Sequence, residues 1–190
     1  MGLRRVHQTE NFDDFLNTWK DLPRSTHPFL PSIKDCNPSS LGALLPQCAI
    51  FHYTAKHQLM LQFVGTEMER LSDLSATGTN YYDMIADDFK PLMNHYHRTV
   101  FGVPCGAYIG DVITTTSGAT YLFETMQFPV ADNEGTPCYL LAYGYGRRPT
   151  GDLGGREAED RSGQHLRDLH YMDMGAGAPS SCIINFEVRP

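Results

Sequence analysis

The first apolar pattern in the chain has the period of an amphipathic helix. Between residues 11 and 22 the large apolar side chains recur every three or four positions, which places them on one stripe: Phe12, Phe15, Leu16, Trp19 and Leu22. Asn11 can cap this helix, and Pro23 ends it because its ring removes a backbone donor. The stripe must cover a surface, which is either the outer face of a sheet in the same chain or a second subunit.

The next apolar runs have the pattern of a β-hairpin. Residues 23–46 are rich in proline and predict an extended connector. CAIFHYT and QLMLQFV then predict strands at 48–54 and 58–64. In the second strand the alternation predicts a shared face for three residues: Leu59, Leu61 and Phe63.

The strongest helix prediction covers residues 88–101. Its apolar side chains lie within about 100° of one another on a helical wheel: Phe89, Leu92, Met93, Tyr96 and Val100. Three strand-like segments with short turns follow, ending near residues 115, 130 and 145. The order predicts an α+β domain: a five-stranded antiparallel sheet with helices on one face, enclosing a cleft.

Composition divides the chain into three parts. Residues 1–46 hold the N-terminal helix and connector, residues 47–146 the core, and residues 147–190 a Gly-rich tail. The charged segment that opens the tail has little to bury, so we expect it to be flexible. SCIINFEVR near the end is apolar again and could add one strand, in this subunit or on another.

Charge and cysteine content exclude several classes of function. The chain of 190 residues has a formal net charge of -7, which argues against a nucleic-acid partner or an anionic membrane. No apolar stretch is long enough for membrane insertion, and the N-terminus lacks a signal-like apolar segment, so we expect a cytoplasmic protein. The five scattered cysteines predict neither a disulfide framework nor a zinc site.

Several phrases of the sequence resemble the PAS superfamily over about residues 15 to 145. They are LLPQCAIFHY, FVGTEMERLSDLSATGTNYYDM, YHRTVFGVP and YLFETMQFPVADNEG, and they are most similar to a bacterial single-domain PAS group formerly described as a domain of unknown function. The resemblance implies a non-enzymatic sensor or interaction module in bacterial signalling. It would act through an unidentified partner protein, and its cleft could hold a small apolar or amphipathic ligand.

The candidate cleft residues come from the long helix, the strands and the segment between them. They are Phe63, Tyr82, Phe89, Met93, Tyr96, His97, Glu124, Met126 and Phe128. Haem held by His97 is one hypothesis, since the resemblance implies haem sensors with a helical histidine. The favoured interpretation makes His95 and His97 surface or rim residues, and on a helix the two diverge too far to share a metal.

Flavin photochemistry is not expected. No cysteine lies in a helical N-C-R-F-L-Q-like motif, and Cys105 begins a strand instead. The cofactor is therefore unknown.

Two carboxylates leave alternatives open. Glu124 is either a buried group lining the cleft or a structural charge on the opposite face, and the pattern alone does not assign its face. Asp111, with Tyr108 and Tyr121 nearby, could serve a small α+β cone enzyme of isomerase or dehydratase type. We prefer the PAS-like interpretation because strands precede the helical insertion, and we predict no catalytic residue.

A ligand-free interaction protein is the third possibility. In that case the aromatic and methionine side chains close on each other as ordinary core. The apolar stripe of the first helix, with Phe12, Phe15 and Trp19, is the basis for expecting a homodimer.

Overall fold

The computed structural model describes residues 12–72, 77–114, 120–147 and 165–187. Its helices are α1 (Phe12–Asp21), α2 (Pro38–Leu41), α3 (Thr66–Ser72) and α4 (Lys90–Gly102). Its strands are β1 (Cys48–Ala55), β2 (Gln58–Val64), β3 (Gly106–Thr114), β4 (Thr120–Ala131), β5 (Pro137–Arg147), β6 (His165–Met172) and β7 (Cys182–Glu187). Short 3-10 helices cover Ile33–Asp35, Gly42–Gln47, Tyr81–Asp83 and Asp87–Phe89. The predicted cap at Asn11 lies outside the described residues.

The strands form one antiparallel sheet in the order β2-β1-β5-β4-β3-β6-β7. The first five strands in the sequence have the order β2-β1-β5-β4-β3, with the helical insertion between β2 and β3. This is the arrangement of a PAS core, so the predicted PAS-like α+β fold is confirmed, while the antiparallel sheet has seven strands rather than the five predicted. Among the described residues, no helix is long and apolar enough to span a membrane.

Two further strands extend the sheet beyond the PAS-like core. The predicted C-terminal strand is β7, whereas β6 was missed, so residues 165–187 join the sheet rather than forming a tail apart from it. In β6 the inward residues Leu166 and Leu169 are three positions apart. A register shift opposite Gly110 and Asp111 produces this spacing, which does not have the two-residue period expected of a strand.

Helices cover both faces of the sheet. We call the face toward α4 the inner face, and its cluster includes Met93, Tyr96 and Val100 of that helix. The opposite, outer face is covered by α1 and the connector. The sheet therefore lies between two apolar layers, and both sides of its central strands are buried.

Helix α1 covers the outer face of its own sheet. The ring of Phe15 stacks on Phe128 and Tyr143, each at a centroid distance of 5.1 Å. Trp19 lies 5.2 Å from Phe128, and the guanidinium of Arg24 sits 4.6 Å from the Trp19 ring. Phe12, Phe15 and Trp19 are thus buried inside one chain, and the expectation that they form a dimer interface is corrected.

Candidate functional site

The predicted cleft residues divide between the two faces of the sheet. Five of them belong to the inner side: Tyr82, Phe89, Met93, Tyr96 and His97. Four lie on the outer side, against or beside the layer that α1 covers: Phe63, Glu124, Met126 and Phe128. The second group cannot contact a ligand bound between α4 and the sheet, so those four assignments are wrong.

Strand register explains the misplaced residues. In β4, Phe123 belongs to the inner cluster and Phe128 to the outer one, so the even-numbered residues face α1. In β2, an irregularity in the pairing with β1 turns Phe63 to the outer side while Leu59 and Leu61 stay inside. In β4 apolar layers cover both faces, so the strand lacks the polar side that would have assigned its orientation, whereas in β2 the pattern of exposed and buried residues is broken only by this irregularity.

Glu124 has a structural role on the outer side. The hydroxyl of Tyr108 donates a hydrogen bond of 2.5 Å to its Oε1 atom, and Glu124 is only 3% exposed. Phe12 of α1 contacts the Tyr108 ring edge-on at 6.1 Å. The structural alternative for Glu124 is therefore the better supported one, since a buried carboxylate needs such a partner.

His97 is a buried core residue rather than a rim residue. It is 1% exposed, and the Tyr82 hydroxyl and the His97 Nδ1 atom lie 2.7 Å apart. The rings of Tyr81, Tyr82 and Tyr96 surround it at centroid distances of 5.8, 5.6 and 4.8 Å. Burial lowers the pKa of His97 to about 3, so the imidazole is neutral at physiological pH.

A second group of hydrogen-bonded polar side chains lies on the inner face. The Tyr96 hydroxyl donates to Gln127 Oε1 at 2.9 Å, and Gln127 Nε2 donates to Thr125 Oγ1 at 3.1 Å. Tyr171 of β6 stacks beside Tyr96 with a centroid distance of 6.2 Å. The sequence prediction missed Gln127 and Thr125, because their inward orientation depends on the register of β4.

Tyr81 and Asp111 both lie on the inner side of the sheet. Both keep part of their surface exposed, yet burial is the main cause that raises their pKa values. The charge of Asp111 also contributes to the raised pKa of Tyr81, and burial raises the pKa of Asp111 to about 7.

The positions of Asp111 and Tyr108 do not support the alternative enzyme. Asp111 faces the inner side, whereas Tyr108 faces the outer side and bonds to Glu124, so this acid and this phenol do not converge. The side chain of Tyr121 lies outside those described. Within the described residues, no group of three or more His, Cys, Asp and Glu side chains is placed to hold a metal ion.

Because His97 is buried in its neutral form, we expect the folded protein to lose stability in acid. Below its usual pKa of about 6.5 the unfolded chain takes up a proton that the fold excludes, so this contribution to stability is lost as the pH falls toward 3. His97→Gln should destabilise the protein at pH 7, because the ring contacts are lost. The destabilisation should shrink by about 2 kcal/mol at pH 5, since the variant has no imidazole to keep neutral.

Urea unfolding at the two pH values measures this change. The raised pKa of Asp111 makes stability change with pH in the opposite direction. The quantity to compare at the two pH values is therefore the difference in the free energy of unfolding between the variant and wild type. His95→Gln on the exposed side of α4 is the matched control and should behave like wild type. Equal destabilisation by His97→Gln at both pH values would contradict the buried neutral imidazole.

No protein-family model and no curated protein sequence matches the chain. Solved structures do match it. VqmA of Vibrio cholera in a ligand and DNA complex is 14% identical, with 57% of this chain and 49% of that chain covered and a TM-score of 0.43. This chain therefore spans about half of that VqmA chain.

Two light-oxygen-voltage proteins are also similar. RsLOV is 12% identical over 58% of this chain and 68% of that chain, with a TM-score of 0.44. An RNA-binding light-oxygen-voltage receptor is 17% identical over 85% of this chain and 39% of that chain, with a TM-score of 0.43. The core of this chain is PAS-like, and that assignment rests on the order and connection of β1 to β5.

Proposed function

We propose that the protein is a PAS-like sensory module that binds a small amphipathic molecule between α4 and the inner face of the sheet. Binding would alter the α4 side of the domain and so its contact with a partner protein. The net charge of -7 favours a protein over a nucleic acid as that partner. The fold alone carries no function, so the proposal depends on the site.

The observation that carries the proposal is the polar character of the inner side. An interior that served packing alone would be apolar, because buried polar groups cost free energy unless they are satisfied. Here the Tyr82–His97 pair, the Tyr96–Gln127 pair and Asp111 all face the same apolar cluster. A mostly apolar wall with a few converging polar groups is typical of small-molecule sites.

Native mass spectrometry of protein taken from its own cells tests the proposal. We expect an additional small mass under native conditions that disappears on denaturation. Gln127→Met keeps the size of the side chain but removes its polar groups, and it should reduce the retained fraction. Gln62→Met, at an exposed position of β2, is the matched control.

The absence of any bound small molecule would contradict the proposal. A chain that shows only its own mass, both as purified and after incubation with a small-molecule extract of those cells, would leave a ligand-free interaction domain. Circular dichroism of each variant shows whether the fold is retained.

A further inference from the structure

We propose that residues 27–30 form an acid-sensitive bend in the connector, which the neutral imidazole of His27 holds closed and which opens when that imidazole is protonated. We call this segment the His27 bend. It lies on the outer side of the domain, where Leu30 belongs to the apolar layer around α1. The inference goes beyond the proposed function, because the opening of the bend needs no ligand.

A single ring nitrogen closes the His27 bend. The backbone N–H groups of Phe29 and Leu30 both donate to the Nδ1 atom of His27, each at 3.1 Å. Among the described hydrogen bonds, neither amide has another acceptor. Because Nδ1 accepts here, the neutral ring carries its proton on Nε2.

A second segment of the connector has the same arrangement with a group that does not titrate. Asn37 is also followed by a proline, and its Oδ1 atom accepts from the N–H groups of Ser39 at 3.0 Å and Ser40 at 3.3 Å. There the carboxamide caps helix α2, with Pro38 at the start of the helix. His27 has the place of such a cap, but an imidazole keeps its Nδ1 acceptor only while it is neutral.

Protonation would put a hydrogen on the atom that both amides need. An Nδ1–H group is a donor and cannot accept a hydrogen bond. Leu30 is 0% exposed, so water does not reach its amide while the bend is closed. Since a buried donor without an acceptor costs free energy, the protonated bend should open until water reaches the Leu30 amide.

The surroundings of His27 keep the ring neutral near neutral pH. Burial lowers the pKa of His27 below its usual value of about 6.5. The stability that this gives is present above that value and is lost as the pH falls through the lower pKa of the folded protein.

No described charge compensates the protonated ring. The charged residues on the elements next to the bend are Lys20, Asp21, Arg24, Lys34, Asp35, Asp132, Glu134 and Asp173. Among the described contacts, none of these groups forms a hydrogen bond or an ion pair with His27. Acid should therefore act on the bend through the two amides.

The chain is anchored on both sides of the bend, so the change should stay local. On one side the Thr26 hydroxyl donates to the carbonyl oxygen of Asp132 at 3.2 Å. On the other side the Ala131 N–H group donates to the carbonyl oxygen of Pro31 at 2.9 Å. Opening between these anchors should leave the sheet intact.

The His27 bend also contacts the connection between β6 and β7. Phe29 is 41% exposed, and a Cβ atom at Gly175 would lie 3.4 Å from its Cδ1 atom. Opening should therefore move Phe29 relative to that connection and expose Leu30. The surface formed by these two segments would differ between neutral and acidic solution.

NMR of the wild-type protein tests the bend directly. At about pH 7, long-range proton–nitrogen spectra should show the His27 ring with its proton on Nε2. The amide resonances of Phe29 and Leu30 should move as His27 titrates, with a midpoint below about pH 6.5. The protection of the Leu30 amide against hydrogen exchange should fall about tenfold between about pH 7 and pH 5, as expected for the loss of one hydrogen bond.

Two variants separate the acceptor from its titration. His27→Asn places an oxygen where Nδ1 lies and does not titrate, so Leu30 protection should be the same at both pH values, as in the Asn37 cap. His27→Ala removes the acceptor, so protection should be low at both. His95→Asn, on the exposed side of α4, is the matched control and should keep the wild-type response.

Three results would overturn the inference. They are a proton on Nδ1 at about pH 7, a Leu30 amide that does not change while His27 titrates, and a pH response that remains in His27→Asn. The wild-type spectra decide the first two even where a variant does not fold. Native mass spectra test the bound molecule separately, so failure of the bend and failure of the proposed function are distinguishable.

Discussion

Replacing Trp19 by alanine should lower the free energy of unfolding by about 3–5 kcal/mol, as expected for a large buried aromatic side chain. Trp19 is 1% exposed and packs on Phe128, so its removal leaves a cavity between α1 and the outer face of the sheet. The Nε1 atom of Trp19 has no described hydrogen-bond partner. Trp19→Phe should therefore recover much of the loss, since no hydrogen bond is given up with the indole.

Urea unfolding followed by circular dichroism measures this effect, because Trp19 is the single tryptophan and its fluorescence is lost in both variants. Asn17→Ala, on the exposed side of α1, is the matched control and should be close to neutral. A loss below about 1 kcal/mol in Trp19→Ala would mean that α1 does not pack on the sheet in solution.

Light scattering of the same proteins tests the role of α1 in association. Since Phe12, Phe15 and Trp19 are buried within the chain, we expect the mass of folded Trp19→Ala to equal that of wild type. A wild-type dimer that dissociates in this variant would restore α1 as an interface and contradict its packing within the chain.

Gly65→Ala should cost about 3 kcal/mol or more, because the added methyl group meets rigid backbone. A Cβ atom at this position would lie 2.2 Å from the carbonyl oxygen of Leu45 and 2.4 Å from that of Pro46. Both atoms belong to the 3-10 helix Gly42–Gln47, which cannot withdraw without disturbing the start of β1. The glycine of the FVGTEME phrase is thus required by a close backbone contact.

Gly102→Ala is the matched control for Gly65→Ala. A Cβ atom at Gly102 would meet nothing within 4 Å, and this residue ends α4. Alanine there should be neutral or slightly stabilising, by up to about 1 kcal/mol, because it favours the helix. Thermal unfolding of both variants gives the comparison, and similar melting temperatures would exclude the close contact at Gly65.

The candidate site could be predicted only in part. The residues taken from α4 and the segment before it are on the inner side, because a helical stripe shows which residues face the core: Phe89, Met93 and Tyr96. The residues taken from strands failed at Phe63, Met126 and Phe128, which lie on the outer side. Strand β4 is covered on both faces and has no polar side, so its sequence does not show which of its residues face the cleft. Phe63 faces outward because the pairing of β2 with β1 is irregular.

The sequence by itself determined the order of the first five strands along the chain, the helices α1 and α4 and the PAS-like class. The strands and helices follow from local periodicity and from proline and glycine positions, whereas the PAS-like class follows from the resemblance of several phrases of the sequence to that superfamily. Only the tertiary structure decided that α1 covers its own sheet, that β6 extends it, and that Asp111 and Tyr108 face opposite sides of it. Such features depend on bulges and on contacts between distant segments, and a shift of one residue in strand register reverses every side chain.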